Sequence, residues 1–169
     1  MKTKNAVLED LEAKYCKLKY YRGSLMQFAN DLLAKGRGEG EVCRICEISP
    51  VIINDMKSVG LELYAKDIIV TQRQVFKYRN HPKTTKGANI SVEDYGIIEA
   101  ALKNPTNIYE DTVQKHLVYV YTHPFYDCRL VKVVVEPNFR SHGAVINLAK
   151  SWGIVEISKM KGIQYRKIK

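Results

Sequence analysis

Leu117-Val118-Tyr119-Val120-Tyr121-Thr122-His123 and Arg129-Leu130-Val131-Lys132-Val133-Val134-Val135-Glu136 are two β-branched and aromatic runs joined by Pro124-Phe125-Tyr126-Asp127-Cys128. Their composition and the turn-forming segment between them spell a β-hairpin. A simple hairpin sets His123 opposite Arg129, Tyr121 opposite Val131, Tyr119 opposite Val133 and Leu117 opposite Val135. That face is the more apolar one and is expected to pack on helices. The other face then carries Thr122 opposite Leu130, Val120 opposite Lys132 and, at the start, His116 opposite Glu136. Because side chains alternate along a strand, His116 and His123 point to opposite faces unless a bulge intervenes.

Upstream, apolar residues recur at helical spacing through Leu11, Tyr15, Leu18, Leu25, Phe28 and Leu32, so a helix is expected from about Asn5 to Lys35. Gly36-Arg37-Gly38-Glu39-Gly40 ends it and makes a hinge, which divides the chain into a helical extension, residues 1–40, and a domain, residues 41–169. Ile52, Ile53, Met56 and Val59 mark a second helical face, with Gly60 as its cap. Ile68-Ile69-Val70 is a strand ending at Thr71, which caps a helix running from Gln72 towards Arg79. Pro82 disfavours helical geometry at His81 and leaves that histidine at a helix end. Ser91-Val92-Glu93-Asp94 opens a further helix whose face is Val92, Tyr95, Ile98 and Leu102, and Asn104-Pro105 stops it. Glu110-Asp111 reads as loop. Downstream of the hairpin, Gly143–Lys150 is a third strand, and Trp152–Ile157 and Ile163–Ile168 supply one or two more. The expected class is α+β, with N-terminal helices followed by an antiparallel sheet of about four strands.

The composition is that of a folded chain of 169 residues, 46% hydrophobic and 27% charged, long enough to bury a real core. No apolar run reaches the ~18 residues of a membrane span, and Met1-Lys2-Thr3-Lys4-Asn5 leads into an amphipathic pattern unlike a signal peptide. The expected setting is therefore cytoplasmic, without a membrane partner. The net charge of +9 is uneven: residues 140–169 hold seven basic side chains against Glu156 alone. Such an excess concentrates polyanions at the surface, and a nucleic acid is the expected partner. Cys43-Arg44-Ile45-Cys46 has the spacing of half a zinc site but lacks a second ligand pair, so no metal and no cofactor are expected.

The order of elements carries further information. A strand (Ile68–Thr71), a helix ending at His81-Pro82, a second helix and Lys103-Asn104-Pro105-Thr106-Asn107-Ile108-Tyr109 precede the hairpin. A strand with a polar centre at Asn147 and a terminal Tyr165 follow it. Over roughly residues 66–168 this resembles the phage-borne nuclease domains of the barnase–EndoU–colicin–RelE superfamily, often attached to phage head-morphogenesis proteins. The resemblance implies a metal-independent ribonuclease working on a sheet face. His81 sits where the family carries its His-Pro, Asn147 where it usually has Ser or Thr, and Tyr165 matches a late tyrosine. The sequence departs from the pattern at Val75-Phe76-Lys77-Tyr78, where those domains often have another histidine, and in the loss of a hydroxyl at Asn147.

Cleavage of RNA by its own 2′-hydroxyl needs a base, an acid and positive charge against the dianionic phosphorane. Histidine suits the first two because it titrates near neutrality. His81 is the leading acid–base candidate and His116 the second, while Lys132 would stabilise phosphate charge and Tyr165 would donate a hydrogen bond or stack on a base. Lys83 and Lys86, in a polar loop, and Arg166 and Lys167, near the chain end, are candidates for holding the RNA backbone. Each has a plainer reading: a cross-strand pair for His116 and Glu136, solvated lysines, a packing tyrosine. Two other function classes stand beside the nuclease. One is a nucleic-acid-binding module without turnover. The other is a phage structural or interaction domain that docks a phage protein through its N-terminal helix. Glu93-Asp94 and Glu110-Asp111 do not form the clustered carboxylates of a magnesium-dependent nuclease.

Overall fold

Among the described residues the first helix follows its N-cap, Ser24. The hydroxyl of Ser24 accepts from the Gln27 backbone N–H at 3.2 Å, and Gln27 reaches back to the Ser24 N–H at 2.9 Å. This reciprocal capping box opens α1 (Leu25–Lys35), and Gly36, left-handed at φ 69°, closes it. In the computed structural model, residues 18–80, 94–122, 128–141 and 143–169 are described. The expected helix from Asn5 is corrected within that range: Lys19–Tyr20 is a short strand, β1, and Leu18 packs on the face of the sheet away from the helical layer. Residues 1–17 lie outside the described range, as do Ser91, Val92 and Glu93 of the expected cap and His123 of the hairpin.

The remaining elements follow in order: β2 (Glu41–Glu47), α2 (Pro50–Ser58), β3 (Asp67–Thr71), α3 (Gln72–Asn80), α4 (Tyr95–Lys103), β4 (Asn107–Asp111), β5 (His116–Thr122), β6 (Arg129–Ser141), β7 (Ala144–Glu156), a 3-10 turn (Ile157–Met160) and β8 (Tyr165–Lys167). They build one eight-stranded mixed sheet in the order β1-β2-β3-β7-β6-β5-β4-β8. The pairs β1/β2 and β3/β7 are parallel and the others antiparallel. The expected antiparallel sheet of about four strands is thus corrected in size and in topology. The physical reason lies in three segments. In β2, Cys and charged residues hide the alternation; β4 ends in two acids; and β7 runs unbroken for 13 residues through Gly153.

The hairpin itself forms in the expected register: Leu117 pairs with Val135, Tyr119 with Val133, Tyr121 with Val131, Val120 with Lys132 and Thr122 with Leu130. Leu117, Tyr119, Val131, Val133 and Val135 join the main core, where they meet Leu25 and Phe28 of α1, Ile52 and Met56 of α2, Val75 of α3, and Ile98 and Leu102 of α4. Residues 18–40, read as a helical extension, thus contribute β1 and α1 to the common sheet and core. Trp152 closes the layer, edge-on to Tyr95 at 5.7 Å between ring centres.

The opposite face carries two smaller apolar clusters. Val42, Ile69, Ile146 and Leu148 lie at one end, and Val118, Val120 and Met160 at the other. No described α-helix contributes to either cluster. Polar side chains occupy the sheet between them, and two irregularities shape that region. Val134 pairs with Ser151 but Val135 with Ala149, so Lys150 is an extra residue in β7; between Glu136 and Phe139, Pro137-Asn138 bulges β6 with Asn138 at φ 56°.

Candidate nucleic-acid interface

Of His81, Lys132 and Tyr165, expected to converge on the side of the sheet opposite Val131, Val133 and Val135, Lys132 and Tyr165 meet there, and His81 lies outside the described residues. Strand β8 carries Tyr165 onto the face of Val118 and Val120. Lys132 Nζ donates to Tyr165 Oη at 3.1 Å and stands 5.2 Å from the ring centre. The bond to the hydroxyl places the ammonium beside the ring edge, so hydrogen bonding holds it more than the ring's π face does. Tyr109 meets Tyr165 edge-to-face at 6.5 Å between ring centres.

His116 lies further along the same face. Its side chain is 12% exposed, and its Nε2 is 3.9 Å from Glu136 Oε1, too far for a hydrogen bond. The other carboxylate oxygen of Glu136 takes Lys150 Nζ at 3.2 Å. The β7 bulge supplies the extra residue, Lys150, in that partnership. Burial is the largest influence on His116 and lowers its pKa from the usual 6.5; Lys150 pushes the same way, while Glu136 and Asp111 oppose. The imidazole is therefore neutral at pH 7, the state a general base requires. Glu136 stands four residues beyond Lys132 on β6, which at ~3.3 Å per residue separates the two groups by roughly 13 Å.

Two expected site residues have other employment. Asn147 is fully buried: its Nδ2 donates to the carbonyls of Ala65 and Asp67 at 2.7 and 3.2 Å, and its Oδ1 accepts from the Asn138 N–H at 3.4 Å. Asn138 in turn donates to Glu62 O at 2.8 Å and accepts from the Tyr64 N–H at 3.0 Å. The two asparagines stitch the β6 bulge to the loop before β3. Arg166 points to the helical layer, where its guanidinium forks onto Asp55 of α2 at 3.2 and 2.6 Å and reaches Glu110 of β4 at 2.8 Å. These two carboxylates raise its already high pKa. Lys167, next to it on β8, is exposed. His81, Lys83 and Lys86 lie outside the described residues.

Cys43 and Cys46 face the core, where burial raises their pKa values to about 12 and about 11, and the Cys46 thiol donates to Leu102 O at 3.5 Å. Among the described residues no three His, Cys, Asp or Glu side chains cluster as metal ligands.

Sequence reasoning misses a cavity of about 770 Å³ where β3 passes into α3. Arg73, Lys77, Arg140 and Lys150 line it with Glu41 and Glu136, so it adjoins the His116 group through Glu136 and Lys150. Arg73 and Arg140 are far apart in the chain, and only the pairing of β3 with β7 brings them to one place. The signal within reach is Pro137-Asn138 inside a valine-rich strand, which marks a bulge and a turn of the strand's path. Comparison with family models, with curated proteins and with solved structures finds no match for this chain.

Proposed function

We propose that this protein binds single-stranded RNA along the sheet face that carries His116, Lys132 and Tyr165, and cleaves it without a metal ion. The observation that carries the reading is His116, neutral and mostly buried, beside Glu136 and Lys150 on that face. In the proposed step His116 takes the proton of a ribose 2′-hydroxyl, the 2′-oxygen bonds to the adjacent phosphorus, and the bond to the 5′-oxygen breaks. The leaving oxygen takes a proton from water, and the products are a 2′,3′-cyclic phosphate and a free 5′-hydroxyl. Lys150, paired with Glu136 beside this centre, offsets the charge that grows on phosphorus. Lys132, roughly 13 Å away, serves a different part of the strand: with Tyr165 and Tyr109 it holds backbone and stacks bases. The reading rests on the chemistry of these side chains and on the basic charge, not on a four-stranded sheet.

Labelled RNA incubated with the protein in EDTA tests it. Products with 2′,3′-cyclic ends are expected, and His116→Ala is expected to slow their release by roughly 100-fold while RNA affinity changes little. Wild type and variant equally inert towards tRNA and single-stranded RNA would end the proposal. A second reading, a binding module without turnover, is favoured by Asn147, whose amide is engaged on both ends by backbone groups. It predicts salt-sensitive RNA binding and no cleavage in any buffer.

A further inference from the structure

The segment between β7 and β8 runs over the face of the sheet opposite the helices, and one side chain anchors it. Met160 is buried and packs on Val118 and Val120. With Met160 turned inward, Ile157, Lys159, Lys161 and Ile163 are all exposed, two aliphatics bracketing two lysines. Ile163 is 104% exposed, an isoleucine wholly in water. We infer that this strap docks the protein on an anionic lipid surface, with Ile163 entering the interface of the bilayer and the two lysines meeting the charged headgroups.

Hydrogen bonds hold the strap at both ends. The Ile157 N–H donates to Cys128 O at 3.1 Å. At the other end, Gln164 O accepts from the Thr112 N–H at 2.7 Å and from the Thr112 hydroxyl at 2.9 Å. The Asp111 carboxylate takes Gln164 Nε2 at 3.1 Å and the N–H groups of Val113 and Gln114 at 3.0 Å. These bonds tie the turn between β4 and β5 to the strap, and on that turn Val113 is 70% exposed. Lys159 and Lys161 have no carboxylate partner among the described residues. The aliphatics and the free cations are thus presented by a segment already fixed in place, which spares the ordering cost of binding.

The aliphatics decide between the partners that a basic surface suits. A nucleic acid is met chiefly at its phosphates, which accounts for the lysines and leaves Ile163 and Val113 in water. A protein partner would bury the aliphatics, but lysine is depleted from such interfaces. An anionic bilayer takes both, because aliphatic side chains leave water for the acyl boundary while long lysine side chains reach the headgroups. No described helix is long and apolar enough to cross a membrane, and docking of this kind asks only that one or two side chains insert. It revises the expectation of no membrane partner, which came from the lack of an apolar span.

Co-sedimentation of the full chain with phosphatidylcholine vesicles, with and without phosphatidylserine, tests the inference. Binding to the mixed vesicles alone is expected, and it should weaken as salt rises. Ile163→Asp, and separately Lys159→Gln combined with Lys161→Gln, should each lower the affinity for mixed vesicles about tenfold. The replaced side chains are exposed, so these variants should fold as the wild type does, which circular dichroism checks. Ile163→Trp reads insertion directly: its emission should shift to the blue on mixed vesicles, over a constant background from Trp152, which is buried in the core. Absence of binding to mixed vesicles overturns the inference, as does an unshifted emission or binding that Ile163→Asp leaves unchanged. Lysine-dependent binding of RNA without binding of vesicles overturns it in favour of a nucleic-acid contact.

Discussion

The two faces of the β5–β6 hairpin come from the same strands and do opposite work. On one face Leu117, Tyr119, Val131, Val133 and Val135 vanish into a core shared with four helices. On the other, His116, Lys132 and Glu136 alternate with them, each answered by a partner from another strand. The buried face holds the sheet together by area removed from water, which is indifferent to which apolar residue supplies it. The other face arranges charge, and its value depends on which atom meets which. A substitution on the first should change stability and on the second chiefly recognition.

The largest effect should come from the buried face. Trp152→Ala removes the side chain that closes the core over Tyr95 and should cost about 3–5 kcal/mol in urea unfolding. A loss below about 1 kcal/mol would mean that this face does not carry the fold. Arg166→Met tests the edge where the faces meet. It strips the partner from Glu110, which is 1% exposed, but Lys115 remains 3.8 Å away and Arg166 itself is 35% exposed. The expected loss is therefore about 2 kcal/mol, below that of a fully buried pair, and RNA affinity should change less than on replacing Lys132. Affinity falling as far with Arg166→Met as with Lys132→Ala would blur the distinction between the faces.

A smaller effect concerns pH. His116 has a lowered pKa in the folded protein, so below its ordinary value of 6.5 the unfolded chain takes up the proton more readily. Stability from this group is complete above pH 6.5 and declines as pH falls below it towards the folded pKa. His116→Gln should flatten that part of the stability–pH curve; an identical slope in the variant would place the titration elsewhere. The same neutral imidazole predicts that the acid limb of the cleavage rate lies below pH 6.5. Lys132→Ala should have the smallest effect on folding, under about 1 kcal/mol. Its mark should be weaker RNA binding at every sequence, with the salt slope reduced by about one unit.

Part of this architecture is legible in the amino-acid sequence. The hairpin register is, because alternation along both runs admits one pairing that buries the apolar set. Caps at Gly36 and Asn104 are, since each acts within a turn of its own helix. Strand β2 is not: Cys43, Ile45 and Cys46 all turn to the core because a bulge between Arg44 and Cys46 breaks the period that would have announced them. Nor is β4, whose Glu110 and Asp111 are tolerated in a buried strand only because Arg166, Gln164 and backbone N–H groups from a neighbouring turn receive them.

Local sequence is enough to specify the elements around the hairpin and the surplus of positive charge. These follow from periodicity, caps and composition, which act between near neighbours in the chain or need no geometry at all. Folding of the whole chain is what makes the sheet eight-stranded, bonds Asn147 and Arg166 internally, and lines one cavity with both Arg73 and Arg140. Each of those depends on the parallel pairing of β3 with β7 or on β8 closing against β4. Such long-range pairings are selected by the packing of many elements at once, and no local pattern specifies them.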